Sequence, residues 1–217
     1  MRSLIDKVNI PEGQSGNWRV EHFEISEDEA KFENMRCAIN GRNRYIRPGN
    51  YTRLMHNDTV VMSDTPAEMR DHYEAVRAAS GHCLVNGLGL GMVVCAMLDK
   101  RVDDRGVRTD DPNTKLAVDH VTVIEKSEDV IRLVGPALEA RYGDRLTIVH
   151  ADAYDYKPPK GVRYNAVWHD IWNHLCVDNL PLMHKLHRKY GRRAEWQGSW
   201  GRELLEYQRR QHARRGW

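Results

Sequence analysis

The chain has 217 residues, 41% hydrophobic and 29% charged, enough for one sizeable core with a small appendage and too few for two full domains. The longest apolar run, 84–98, is broken by Asn86 and three glycines, and the opening MRSLIDK lacks a signal-peptide core; a soluble, cytoplasmic protein with no membrane partner is expected. The formal charge of +2 hides a basic end: 185–217 carries ten Lys or Arg against three Glu, a net of +7 that leaves −5 elsewhere.

Residues 1–17 are rich in turn formers (Pro11, Gly13, Ser15, Gly16) and are expected to run over the surface. A strand over 18–25 follows. Ser26 and Glu29 form a capping box ahead of Phe32, Met35 and Ile39, which predicts a helix over 27–39 stopped by Asn40-Gly41. Strands over 51–55 and 59–63 flank His56-Asn57-Asp58 as a hairpin. Thr65-Pro66-Ala67-Glu68 then starts a helix with Met69, Tyr73 and Val76 on its apolar face, closed by Gly81.

The stretch 83–98 reads as strand, glycine turn and helix, with Gly87, Gly89 and Gly91 alternating with leucine. Residues 101–115, rich in Asp, Arg, Gly and Pro, read as an exposed loop. A β-branched strand over 118–124 ends in Glu125, and Ser127 caps a helix that Gly135-Pro136 should kink or split. A strand over 146–150 ends at Ala151-Asp152, and a fourth over 164–168 delivers His169-Asp170. Helices over 180–190 and 201–214 close the chain, with 194–197 as a short candidate strand.

Four cysteines (Cys37, Cys83, Cys95, Cys176) form no C-x-x-C pair and read as reduced apolar residues. His174, His184 and His187 lack the spacing of a zinc motif, so no metal is expected. Alternating strands and helices predict an α/β fold: a Rossmann-like, mostly parallel sheet flanked by helices, truncated after its fourth strand, with a small N-terminal hairpin and helix region. Three parts are expected: 1–64 as the N-terminal extension, 65–190 as the core and 191–217 as a basic helical tail.

In parallel sheets ligands bind at the carboxyl ends of the strands. Four candidate strands end in the glycine turn, Glu125, Asp152 and Asp170. An NAD fingerprint fits poorly, since Val94 stands where its later glycine belongs.

The set 84–91, Val123-Ile124-Glu125, His150-Ala151-Asp152-Ala153 and 166–170 resembles the motifs of class I S-adenosylmethionine-dependent methyltransferases. With 62–72, it resembles their spermidine-synthase-like branch, including bacteriophage-encoded members, over roughly 51–172. The resemblance implies S-adenosylmethionine as cofactor. Gly87, Gly89 and Gly91 would face its methionine part, Glu125 its ribose, and Asp152 with Ala153 its adenine. Leu88 and Lys126 complete the cofactor set, and Asp170, beside the sulfonium and the nucleophile, is the implied catalytic residue.

His169 and Trp172 are candidates to line the pocket, and Asp64, Glu68 and His72 its mouth. Asn173 replaces the second acid of the aminopropyl-transferring branch, and Ile171-Trp172 replaces the paired prolines of amino-directed nucleic-acid methyltransferases. The readings are thus a methyltransferase of unknown acceptor, an aminopropyltransferase, or a non-catalytic binding protein on the same fold. A homodimer is one expected partnership. Nucleic acid on the tail through Lys185, Arg188, Lys189, Arg192, Arg193, Arg209, Arg210, Arg214 and Arg215 is another, against a plain solvated helix face.

Overall fold

The computed structural model describes residues 5–41 and 44–214, Arg214 by its backbone alone. The chain opens on an antiparallel sheet in spatial order β1 (Gly13–Ser15), β2 (Trp18–Ile25), β3 (Gly49–His56) and β4 (Thr59–Ser63). The β3–β4 hairpin turns at Asn57, whose φ of 52° lies in the left-handed region that asparagine tolerates. Residues 11–17 lie at the surface as expected, with Ser15 half-buried, but the segment before them does not: Ile5, Val8 and Ile10 are buried. Buried Asp64 ties that segment down, its carboxylate accepting from the backbone N–H groups of Val8 (3.2 Å) and Thr52 (2.6 Å).

Between β2 and β3, α1 (Glu27–Ile39) carries the predicted capping box: Ser26 Oγ accepts from the Glu29 N–H, and the Glu29 carboxylate accepts from the Ser26 N–H. Its apolar residues stay in solvent, however, since Phe32, Met35 and Ile39 are exposed and Ala30 alone is buried. The next helix comes as two, α2 (Pro66–Asp71) and α3 (Tyr73–Ala78), where the sequence predicts one. The break falls at His72, whose ring is buried edge-on to Trp168 with centroids 6.0 Å apart.

β5 (Gly81–Asn86) enters the core and passes through the glycine turn into α4 (Met92–Leu98). The expected loop after it folds instead into a small sheet of two-residue strands, β6 (Arg101–Val102), β7 (Arg108–Thr109) and β8 (Lys115–Leu116), in order β7-β6-β8. Side chains hold its turns, Asp103 accepting from the backbone of Arg105 and Val107. Strands this short leave no alternation for periodicity to find.

The remaining elements are β9 (Val118–Glu125), α5 (Glu128–Tyr142), β10 (Leu146–His150), β11 (Tyr164–His169), α6 (Leu180–Tyr190), β12 (Ala194–Ser199) and α7 (Arg202–Arg214). α5 runs through Gly135-Pro136 as one helix, with no split: Val130 and Val134 on one side of the proline and Leu138 on the other are buried. Five strands pair in parallel in the order β10-β9-β5-β11-β12. Cys83 and Val85 of β5 pack on one face with α4 and α5 residues such as Val94 and Val134, and Leu84 packs on the other with Leu186 and Tyr190 of α6. Cover on both faces explains why β5 and β9 read as near-continuous apolar runs.

The fold is therefore a Rossmann-like α/β sheet preceded by an antiparallel one. Truncation after a fourth strand is corrected: 194–197 begins a fifth parallel strand, β12, so the tail expected to be helical starts inside the sheet. β12 is a mostly half-buried edge strand interrupted by Gly198, which leaves it neither an apolar run nor an alternation. Trp196 stacks on Trp168 with centroids 6.2 Å apart and secures it from the neighbouring strand. Among the described residues, no helix is long and apolar enough to cross a membrane.

Asp64 gives one carboxylate oxygen to each of two backbone donors in separate segments. Asp64→Asn sets an amide NH2 against one of them and should lower unfolding stability by about 1–3 kcal/mol at pH 7. The expected outcome is a lower denaturant midpoint at unchanged slope.

Candidate functional site

From β5 the chain winds outward through β9 to β10 and then returns to the far side of β5 as β11. The crevice at that reversal is where an open parallel sheet can hold a ligand. Here the carboxyl ends of these four strands border a cavity of about 420 Å³. Its other wall comes from the antiparallel sheet and α2, through Trp18, Leu54, Val61, Met62, Glu68 and Asp71, with His72 after α2 and Trp200 after β12.

The glycine turn divides its labour. Gly87 has a φ of 96°, and a Cβ there would lie 2.0 Å from the Asp170 carbonyl oxygen, so only glycine lets the ends of β5 and β11 meet. A Cβ on Gly89 would meet the Met62 sulfur at 2.6 Å. Both line the cavity. Gly91 does not: at φ 75° it caps α4, and its missing Cβ leaves room for Leu138 of α5. Gly91, expected to face a ligand, thus stands behind the cavity wall, where its bare backbone serves the packing of α4 on α5. Leu88 is likewise a core side chain, 4% exposed, whose backbone alone reaches the site.

Glu125 closes β9 with both carboxylate oxygens engaged, Oε2 accepting from the Leu88 N–H (2.8 Å) and Oε1 from the Ser127 N–H (2.7 Å). The acid thereby ties the glycine turn to the start of α5. Past β10, Asp152 accepts from Lys126 Nζ (2.8 Å) and from the Tyr154 N–H (2.8 Å), and these bonds hold its carboxyl below the usual range. Ala153 lies beside it on the cavity wall. Lys189 of α6 donates to the carbonyls of Ala153 and Tyr154 and so fixes this loop from behind.

Asp170 is the electrostatic outlier. Burial, reinforced by the negative Glu68 and Asp71, pushes its carboxyl up to about 7. The His72 ring stands opposite, Nδ1 3.8 Å from Asp170 Oδ2 and without a hydrogen-bond partner among the described residues, and burial pulls its pKa down to about 4. Glu68 accepts from the N–H and hydroxyl of Ser63 and is also raised by burial. Asp71 is instead paired with Arg44 (2.9 Å) and accepts from Trp200 Nε1 (3.3 Å). A buried carboxyl poised near neutrality beside a neutral imidazole is an arrangement suited to proton transfer.

Of the other candidates, Trp172, Glu68 and His72 line the cavity and His169 does not. Its ring is fully buried, bonded to Asn86 (2.7 Å) and close to His187, with its pKa pulled down to about 3 by burial. Asp64 is corrected from pocket mouth to the buried tether described above. Trp18 and Trp200 were not legible as site residues, because nothing near them in the chain marks them, and Met62 and Asp71, within the 62–72 stretch, were not singled out.

His184 and His187 bond Glu206 and Ser199 respectively. Among the described residues, no group of three or more His, Cys, Asp or Glu is placed to hold a metal. Of the tail cations, Lys189 and Arg193 bond backbone carbonyls, while the Arg214 side chain and Arg215 lie outside the described residues.

No family model and no curated protein matches the chain. Similar solved structures include a dimethyladenosine transferase from Plasmodium falciparum, 16% identical over 55% of this chain and 36% of that one, with a TM-score of 0.37. Another is a precorrin 8w decarboxylase from Methanobacterium thermoautotrophicum, 14% identical over 55% and 52%, TM-score 0.37. A third is a DhpI–SAM–HEP complex, 21% identical over 56% and 47%, TM-score 0.36. The chain thus spans about half or less of the length of these proteins. At this level the likeness decides nothing about the site.

Asp170 makes stability pH-dependent with a definite sign. Its folded pKa of about 7 lies above the unfolded value, so its favourable contribution is complete at low pH and is lost as pH rises toward and through 7. Asp170→Asn should therefore be more stable than the parent by about 2–4 kcal/mol at pH 8, the difference vanishing near pH 4. Melting curves of both proteins across that range provide the check.

Proposed function

We propose that the cavity binds S-adenosylmethionine and that the chain is an S-adenosylmethionine-dependent methyltransferase. One observation carries the reading: at the reversal of strand order, four consecutive strand ends place the glycine turn, Glu125, Asp152-Ala153 and Asp170 around a single cavity. Its volume of about 420 Å³ lies in the range of small-molecule sites. The open approach at Gly87 and Gly89 and the unpartnered His72 Nδ1 fit a site shaped for a ligand.

In this reading Gly87 and Gly89 admit the methionine part of the cofactor against bare backbone. Glu125 is fixed by two backbone donors and keeps lone pairs free to accept from ribose hydroxyls. Asp152, held by Lys126 and the Tyr154 N–H, presents its second face with Ala153 to the adenine. When bound, the cofactor supplies a methyl group activated on a sulfonium. Asp170, poised near neutrality, accepts the proton of the methyl acceptor, and ionises more readily next to a cation.

The wall formed by β4, α2 and Trp200 replaces the later strands of the resembling family, and on it the acceptor would rest. That hairpin-and-helix wall also favours the spermidine-synthase-like branch. Aminopropyl transfer is the second reading: Asn173 lines the cavity where the branch has an acid, but Glu68 and Asp71 supply carboxylates on the opposite wall.

Calorimetric titration with S-adenosylmethionine, its decarboxylated analogue and NAD decides among these. The first is expected to bind, and Asp152→Ala to weaken it about 10- to 100-fold, the cost of a lost charge-assisted hydrogen bond. Affinity for the sulfonium form should rise as pH passes upward through 7, while the neutral S-adenosylhomocysteine stays flat. Tighter binding of the decarboxylated analogue moves the assignment to aminopropyl transfer. If none of the three binds, the cofactor reading is wrong.

A further inference from the structure

α2 and α3 form a wall with a second cavity on its far side. Glu68, Asp71 and His72 face the first cavity, whereas Met69, Arg70, Tyr73 and Arg77 line a cleft of about 830 Å³. Lys7, Arg47 and Arg108 reach the same cleft from three other segments, against two acids, Asp6 and Asp110. Five cations therefore converge in a chain that carries −5 outside its basic end.

A run of charge on one helix is ordinarily a solvated face. This cluster is different in origin, because the fold collects it from four segments of sequence. Drawing like charges together is electrostatically unfavourable unless counter-charges lie close, whether within the cleft, as Asp6 and Asp110 do, or on a ligand. Exposed Arg47 and Arg77 have no ion pair among the described residues. Aromatic rings stand among the cations: Tyr45 is 46% exposed and Tyr73 is half-buried, while the buried Tyr51 ring seats Lys7 Nζ 4.1 Å from its centre. Guanidinium groups for phosphate oxygens beside ring faces for bases are what an unpaired nucleic-acid strand requires.

We propose that this cleft binds the phosphate backbone of a single-stranded nucleic acid. The bound strand lies one helix away from the first cavity, and the proposal stands apart from the cofactor reading. The C-terminal helix is the weaker location, since Arg202 of α7 is paired with Glu206 (2.9 Å), and Arg209 and Arg210 are neighbours in that one segment.

The test is fluorescence anisotropy of the full chain with a labelled oligothymidylate of about twelve nucleotides, within the usual site size for such grooves. Arg47→Glu/Arg77→Glu changes two exposed side chains, and circular dichroism checks its folding. The double variant should bind at least about tenfold more weakly, and the slope of log affinity against log salt should fall by about 1–2, reflecting the phosphates no longer contacted. Arg209→Glu/Arg210→Glu on α7 should bind like the parent. Parent protein that does not bind, or a cleft variant that binds unchanged, overturns the proposal. So does weakening confined to the α7 variant. Equal affinity for inorganic pyrophosphate and for the oligonucleotide would assign the cleft to small phosphate compounds and likewise overturn it.

Discussion

The whole site depends on how closely two strand ends approach each other. β5 and β11 pair in parallel from Cys83 to Asn86, and the Asp170 N–H continues the ladder by donating to the Asn86 carbonyl at 2.8 Å. One residue further on, Gly87 passes so near the Asp170 carbonyl that a single methyl group would not fit. That contact places the glycine turn and the buried acid on one edge of one cavity. Glu125 then locks the turn to the next strand by taking the Leu88 N–H. The order of the sheet, not any motif, makes these neighbours.

Charge in this region is distributed unevenly, and the unevenness has chemical meaning. Asp152 is exposed enough to pair with Lys126 and is held ionised, whereas Asp170 faces two more carboxylates from a dry position and is held near neutrality. Two acids at the ends of adjacent loops thus carry different protonation behaviour, set by environment alone. His72 belongs to the same arrangement. The helix break that turns it inward places a neutral, unpartnered ring opposite the carboxyl, at some cost in stability, as functional sites commonly show.

The antiparallel sheet is a working part of the site. Asp64 binds the start of the chain to β3, β4 leads into α2, and Met62 at the end of that hairpin packs into the space left by Gly89. α2 then stands between an acid-lined cavity and a cation-lined cleft. One short helix therefore presents opposite charge on its two sides, an asymmetry invisible in the net charge.

The sequence by itself determined the local grammar: the capping box of α1, the hairpin turn at Asn57, the apolar runs of β5 and β9, and the ordered series of Gly87, Glu125, Asp152 and Asp170. These were legible because their cause is local, in backbone conformation, periodicity and capping chemistry. Tertiary structure alone decided the rest. Gly91 looks like its neighbours in sequence, yet Leu138, 47 positions away, determines that it serves packing. β12 has too little pattern of its own and is held by its ladder to β11 and by the stacking of Trp196 on Trp168. Trp18 and Trp200 reach the cavity from opposite ends of the chain, and the near-neutral Asp170 arises from burial and from carboxylates a hundred residues away. Distance in sequence carries no record of desolvation or of which charges meet, so those properties appear only when the chain has folded.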